Sequence, residues 1–514
     1  MLSRKKKLHL TSASSLLLQL FSMAFGFILP RLFLEYYGSA VNGLVSSITQ
    51  FLGFIALAEC GIGAVIQSAL YRPLAQNDSQ SISRIVISAE RFFRGIAKLL
   101  LLYTIVLFFL YPYFACRYFN FIYTASLVLI ISISFFAQYY FGVTYRLLLT
   151  ADQFGFVPIL VQIVALSLNF VFSVVLIHAG ASIHVVKFVS SCVFLLQPLS
   201  ISFIAHRWYK IDRKVFVEKN TIPQKWNGLA QHISAVVLQS SGVVVLTLFS
   251  SLENISVYAI YNLVVQGVRN LIMSMTNGMQ AFLGNLFSKG DLRSFVNSFE
   301  NFERKIHFTV SIIFSITASL IVPFVGVYTK GIEDVNYILP LFGLVFTCGW
   351  GGYCIRLPYN IVVLSVGHYK QTQKSAIIEA VLNLLVSSIL VINFGVIGVA
   401  FGTLIAMIYR TCYLAWYISR NVINRSLWVF FKHFVVDVVS FFLFFVVLHK
   451  FFSYSIWYDV STAPATYASW FWLAAKYSII CFVVITCVNV FVYGKYVSGL
   501  ISIIRSWIQR RWKC

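Results

Sequence analysis

The sequence predicts an all-α polytopic membrane protein of about fourteen transmembrane helices. Three observations carry this reading: long apolar stretches, few charges, and cations confined to alternate gaps between the stretches. Hydrophobic residues make up 59% of the 514, charged residues only 11%, and the mean hydropathy is +0.84. A soluble domain has about a quarter of its residues charged. Each span of about 20 apolar residues is long enough to cross a bilayer core. Short loops rich in Lys and Arg stay cytoplasmic, so a regular alternation tests whether the spans are cut correctly.

The first span, 11–34, follows Arg4, Lys5, Lys6 and Lys7. It is too long for a signal peptide and has no small-residue cleavage site before the turn at Glu35-Tyr36-Tyr37-Gly38, so it reads as a retained helix. The second, 42–70, is followed by Arg72, Arg84 and Arg91, with Arg94 and Lys98 at the edge of the third, 94–114. Spans 122–149, 156–178 and 183–205 come next, then a basic connection at 206–228 carrying Arg207, Lys210, Arg213, Lys214, Lys219 and Lys225. That connection fits an interfacial helix on anionic headgroups or a linker between lobes. Spans 229–250 and 255–285 precede an amphipathic stretch at 288–305, where Phe295, Phe299 and Phe302 recur at helical spacing beside Lys289, Arg293, Arg304 and Lys305. Spans 306–328, 337–365, 375–393, 396–418, 430–452 and 467–493 complete the set, and the tail adds Lys495, Arg505, Arg510, Arg511 and Lys513. The opposite gaps hold only Arg117, Lys187, Lys330 and Lys450, with acids at Glu35, Glu253, Glu333, Asp334 and Asp459. Both termini are therefore expected in the cytoplasm.

A weak internal repeat runs through the chain. Leu18-Gln19 matches Leu238-Gln239, Asn42 and Leu44 sit near Asn262 and Leu263, and Leu168-Asn169-Phe170 before Ser173 matches Leu382-Asn383-Leu384 before Ser387. An even number of spans separates the matches, so the halves share one orientation about an axis along the membrane normal. The expected organisation is an N-terminal lobe at 1–205, the basic linker at 206–228, a C-terminal lobe at 229–419, and at 420–514 two further helices with a basic tail.

Several classes fall away. The net charge of +23 lies in juxtamembrane loops and not on one polar domain, which argues against nucleic acid. The chain carries no P-loop, dinucleotide fingerprint, HExxH or GxSxG, so no enzyme, no cofactor and no metal site is expected. The nine cysteines form no CxxC pair and read mostly as small apolar filler.

What remains is polar chemistry at membrane depth, where such residues are costly and face a cavity or a partner. Arg269, Arg356, Arg410 and Lys476 are the cations that topology leaves unexplained, and they are the candidate substrate-binding set. Gln19, Asn42, Gln50, Gln266, Asn277 and Asn360 are candidate cavity-lining amides, with interhelical hydrogen bonding as their plainer role. Glu59 and Glu379 are candidate coupling acids for H⁺ or Na⁺; internal Glu–Arg pairing is the alternative for Glu59, Arg356 and Arg410. Arg31, Arg146, Lys187 and Asp437 stand close enough to span ends to snorkel. More buried Arg and Lys than acid suits an anionic cargo, because Arg grips phosphate with two parallel hydrogen bonds.

The run Glu35-Tyr36-Tyr37-Gly38, Asn42-Gly43-Leu44, Gln50-Phe51-Leu52, Leu57-Ala58-Glu59-Cys60-Gly61-Ile62-Gly63, Ala69-Leu70-Tyr71-Arg72-Pro73-Leu74-Ala75 and Asp78 resembles the N-terminal signature of Wzx-type polysaccharide flippases. These belong to the multidrug/oligosaccharidyl-lipid/polysaccharide exporter superfamily. Asn383 with Phe394-Gly395-Val396-Ile397-Gly398-Val399-Ala400-Phe401-Gly402-Thr403 is similar too. The resemblance implies two six-helix lobes in a pseudo-twofold V-shaped arrangement plus two C-terminal helices, alternating between inward-open and outward-open states. It implies a cargo of undecaprenyl-pyrophosphate-linked oligosaccharide, flipped across a bacterial cytoplasmic membrane for surface polysaccharide assembly. Membrane lipids, a polysaccharide polymerase and glycosyltransferases are the partners it suggests. Three alternatives stand beside it: a multidrug exporter of the same fold, a lipid II flippase, and a membrane-embedded glycan polymerase or ligase.

Overall fold

The computed structural model describes residues 4–59, 62–213, 215, 229–276, 278–452, 464 and 466–494, and these form an all-helical multi-pass membrane protein with no strand among them. Ten of its helices are long and apolar enough to cross a membrane. Two of the ten merge a pair of expected spans across a kink, at Gly38 and at Gly395. The two spans missing from the ten, 255–285 and 337–365, are broken into shorter helices by polar and glycine-containing junctions.

The chain forms two compact units, one of residues 1–259 with 331–335, the other of 260–330 with 336–514. The division falls inside helix α9, at 259/260; most of the 206–228 connection, the 453–463 loop and the C-terminal tail lie outside the described residues.

The first unit holds α1 (Arg4–Gly53), a 3₁₀ turn at Phe54–Glu59, α2 (Ile62–Gln76), α3 (Ser79–Ala115), α4 (Phe121–Ala137), a π-helical turn at Gln138–Gly142, α5 (Val143–Ala151), α6 (Phe156–His178), α7 (Ile183–Trp208), α8 (Leu229–Phe249) and the start of α9 (Leu252–Met275). Gly38 takes φ +79°, a conformation that only glycine adopts without strain, and interrupts α1 there. Asp334 secures the restart, accepting from Ser39 N–H at 2.7 Å and Ser39 Oγ at 2.6 Å. Beyond it, a Cβ on Gly43 would overlap the Leu252 carbonyl, so this glycine lets α1 lie against α9 at backbone distance. Asn42 donates to Ser256 Oγ at 2.8 Å and Ser47 shares a proton with Thr247 at 2.6 Å across the same contact.

The second unit holds α10 (Met279–Ser288), α11 (Leu292–Tyr328), α12 (Pro340–Ile355), α13 (Leu357–Ser365), α14 (Tyr369–Asn421), α15 (Trp428–Phe452) and α16 (Tyr467–Tyr493). α14 is a hairpin. Gly395 has φ +54°, and across the turn Asn383 donates to Thr403 Oγ1 at 3.2 Å while Ser387 Oγ reaches the Val399 carbonyl at 3.5 Å. Gly398 and Gly402 permit this approach, since a Cβ on either would press on the backbone of Leu390 or Ser387. The second quoted run is therefore a packing motif.

α3 and α11 are both 37 residues long, and both start on an aspartate cap, Asp78 and Asp291, 213 residues apart. Each extends well past the hydrocarbon core, which about 20 residues would span. Along α11, Phe295, Phe299, Phe302 and Ile306 are buried, so the amphipathic stretch is the helix's own first turns packed on the unit. Ser173 and Ser387, matched in the repeat, are both buried between consecutive antiparallel helices.

Candidate functional site

Three of the four candidate cations converge in the second unit. Pro358 brings no N–H to the second position of α13, and the helix breaks at Arg356 between α12 and α13. The α14 hairpin sets Glu379 on one arm beside Arg410 on the other. Arg356 Nη1 donates to Glu379 Oε1, and Arg410 Nη1 donates to Glu379 Oε2 at 2.9 Å. Glu379 is 2% exposed, and each of its oxygens holds a different guanidinium. A carboxylate so engaged is an anchor for two cations.

Arg269 completes the group from α9. It is 9% exposed, and its Cζ lies 5.0 Å from the Trp350 ring and 5.6 Å from the Tyr353 ring. Tyr353 also faces Arg356, whose Cζ is 4.7 Å from its ring. Trp350 and Tyr353 stand three apart on α12 and so share one face. The aromatic faces supply partial negative charge to two guanidinium groups without neutralising them. Arg269 Nη2 reaches only Asn270 Oδ1, at 3.3 Å, while Nε and Nη1 are buried with no hydrogen-bond partner among the described residues. Three guanidiniums and one carboxylate leave a formal charge of +2, half of it on the Arg356–Glu379–Arg410 group and half on Arg269, which no acid among the described residues holds.

The other predicted residues lie apart from this cluster. Lys476 is exposed on α16, 5.9 Å from the Trp472 ring, and contributes nothing to a buried cationic group. A lysine stem is long enough to carry its charge outward along an apolar helix, which is why hydropathy alone could not place it. Asn42 is spent on Ser256, as interhelical glue within the first unit. Gln266 donates to Asn262 Oδ1 one turn back on α9, at 3.1 Å. Gln19, Gln50 and Asn360 are half-buried, and Asn277 lies outside the described residues, as do Cys60 and Gly61 of the first motif. Glu59 accepts from Tyr139 Oη at 2.6 Å, next to the π-helical turn. Arg31 reaches Glu35 at 3.9 Å and Lys187 stands 4.1 Å from the Phe33 ring, while Arg146 is exposed.

Asp437 corrects its expectation. It does not snorkel: its carboxylate takes the Ser311 hydroxyl at 2.7 Å and faces His307 Nδ1 at 2.5 Å on a neighbouring helix. The sequence reading also passed over Trp350 and Tyr353. Aromatics three apart on an apolar helix read as core, and only the arrival of Arg269 and Arg356 from other segments gives them another role.

A multi-pass all-helical membrane protein with a buried cationic cluster is the class these features define. No family model matches the chain, and no curated protein matches it. The fold is that of the MurJ and MATE transporters. A solved structure titled lipid II flippase MurJ, in an inward closed conformation, aligns over 95% of this chain and 99% of its own with a TM-score of 0.70 at 14% identity. An inward-facing multidrug resistance MATE family transporter of the MOP superfamily aligns over 77% of this chain and 95% of its own, with a TM-score of 0.54 at 15% identity. The Vibrio cholerae MATE transporter VcmN in its bent form aligns over 82% and 97%, with a TM-score of 0.53 at 12% identity.

Proposed function

We propose that this protein flips an undecaprenyl-pyrophosphate-linked oligosaccharide from the inner to the outer leaflet of a bacterial cytoplasmic membrane, by alternating access. The observation that carries the reading is Arg269: a buried guanidinium flanked by two aromatic rings, with two nitrogens that find no hydrogen-bond partner and no acid among the described residues. A charge in that state is costly for a resting protein and useful to one awaiting an anion. Arg356 and Arg410, held in place by Glu379, add field without being free to swing. Pyrophosphate rewards several guanidiniums at once, and the half-buried ring of Tyr353 offers a face on which a sugar can stack.

The fold likeness supports a flippase over a drug exporter by extent, since the MurJ alignment runs over 95% of this chain and the two MATE alignments above over 77% and 82%. A pocket for cationic drugs would also want an excess of acid, the reverse of what surrounds Arg269. Lipid II shares the pyrophosphate and the lipid carrier, so a lipid II flippase satisfies the same cluster, and the sugars decide between the two. Coupling to H⁺ or Na⁺ belongs to this proposal, with Glu59 as its acid, because Glu379 is occupied by two arginines.

The test is reconstitution in liposomes with a lipid-linked glycan on one leaflet. The wild type moves it to the other leaflet, and Arg269→Ala, present at normal abundance, does not. Equal flipping by that variant would return Arg269 to a structural role. Transport of lipid II but not of oligosaccharide substrates would select the lipid II reading, and efflux of dyes with no lipid movement would select the exporter.

A further inference from the structure

A second charged network lies in the unit, away from Arg269, and joins α11, α13, the 422–427 turn, α15 and α16. Glu303 on α11 is 0% exposed and holds Arg425 in a fork, with Nη1 to Oε2 at 2.7 Å and Nη2 to Oε1 at 2.5 Å. Tyr359 on α13 donates its hydroxyl to the same carboxylate at 2.5 Å. His307, one turn along α11 from Glu303, faces the Tyr359 oxygen with Nε2 at 3.3 Å and Asp437 Oδ2 with Nδ1 at 2.5 Å. Ser311 donates to the other oxygen of Asp437. His433 of α15 lies 5.3 Å from the His307 ring, 4.0 Å from Glu303 Oε2, and bonds Tyr493 of α16 at 2.5 Å. Glu300, Arg304 and Lys432 are the remaining charged side chains around it among the described residues.

The hydrogen-bond directions count the protons. Tyr359 has one hydrogen and spends it on Glu303, so its oxygen can only accept from His307 Nε2. The Asp437 carboxylate can only accept from Nδ1. Both ring nitrogens of His307 therefore carry hydrogen. Moving the Nδ1 proton onto Asp437 leaves the count unchanged. The pair holds one proton more than a neutral imidazole beside a carboxylate, and with it Glu303, Asp437, Arg425 and His307 sum to zero charge.

We infer that the His307–Asp437 pair is a proton-binding site that locks the α15–α16 helix pair onto α11, and that it exchanges protons with one side of the membrane only. Arg425, at one end of the chain of bonds, lines an open cavity of about 320 Å³ with Trp416, Ser419, Arg420 and Asn424. At the other end, Phe444, Phe445, Leu448, Cys481 and Ile485 with Ala318 and Leu320 make a buried apolar plug between α11, α15 and α16. Water enters from the turn and not through the plug. The site is thus a sensor of pH on the face bearing the 422–427 turn, which the charge pattern assigns to the cytoplasm. Its acids and histidines do not converge as metal ligands would; no such group of three occurs among the described residues. Losing the proton leaves two buried carboxylates facing one arginine, a charge imbalance that loosens the contact.

The chain carries its own reporter. Cys481 is buried in the plug, with Sγ 3.6 Å from the Ile312 carbonyl, while Cys487 on the same helix is exposed. The rate of maleimide labelling at Cys481 relative to Cys487, read by peptide mass spectrometry on the purified full chain in detergent, measures undocking and cancels most of the thiolate's own pH dependence. In the wild type the ratio rises with pH, by at most about tenfold per pH unit for one proton. In Asp437→Asn the ratio is flat. Ser311→Ala, which only weakens the hold on the carboxylate, moves the rise to higher pH. A flat wild-type ratio, or an Asp437→Asn variant that keeps the wild-type slope, overturns the proton site. The inference takes its sidedness from the charge pattern and does not rest on the flippase reading; no substrate is present in the assay, so failed flipping and a failed proton site are separate results.

Discussion

Replacing Arg269 with Met separates a binding role from a structural one, because the two predict opposite signs. Two buried guanidinium nitrogens lack partners among the described residues, and each unmade bond costs about 1–3 kcal/mol. Against that, contacts with the Trp350 and Tyr353 rings at 5.0 and 5.6 Å return stabilisation, about 0.5–2 kcal/mol each. Met keeps the unbranched apolar stem but ends short of the guanidinium plane, and its flexible thioether can still pack toward the rings. The balance favours the variant by about 1–2 kcal/mol. The unfolding midpoint of the substrate-free protein in detergent should therefore rise by a few degrees in Arg269→Met, while flipping in liposomes is lost. A residue kept for stability would show the reverse. A midpoint that falls, together with flipping that persists, refutes the assignment of Arg269 to the cargo.

Glu379→Gln is expected to be the damaging change in the same cluster, because it leaves Arg356 and Arg410 buried without a counter-charge. Breaking such a pair from one side costs about 3–5 kcal/mol, and Glu379→Gln with Arg410→Met should recover part of it, read as the unfolding midpoint. Gly402→Ala puts a Cβ 2.1 Å from Ser387 Oγ and should cost about 1–3 kcal/mol or more by overpacking the α14 hairpin. Gly95→Ala, with nothing within 4 Å, should be neutral or stabilising by up to about 1 kcal/mol. Asp78 caps α3, and the hydroxyl and N–H of Ser81 hold its carboxyl below the usual carboxylate range. Since that folded value is lowered, its contribution is full at neutral pH and is lost only as pH falls below the ordinary carboxylate range. Hydrogen exchange at Gln80 and Ser81 should accelerate there, and should show no such step in Asp78→Asn.

The positions of the spans were legible because they depend on runs of neighbouring residues. A window of about 20 apolar side chains marks a helix whatever it packs against. The same holds for the amphipathic start of α11, where Phe295, Phe299 and Phe302 recur at helical spacing. The quoted motifs were legible as patterns but not as roles. Gly43, Gly398 and Gly402 turn out to mark backbone contacts, which no single segment can reveal.

The buried charges divide the same way. From the sequence alone Arg269, Arg356 and Arg410 stood out, because cations inside spans are rare and need a reason. Their differences came only with neighbours. Arg356 and Arg410 meet Glu379 through the helix break at Pro358 and the hairpin at Gly395, whereas Arg269 meets two aromatic rings and, among the described residues, no acid. His307 and Asp437 are 130 residues apart, and nothing local to either predicts their pairing. Hydropathy and charge are properties of a segment and survive in one dimension. Whether a buried ion is spent or available depends on what lies within about 4 Å of it, and that is decided by which distant helices the fold brings together.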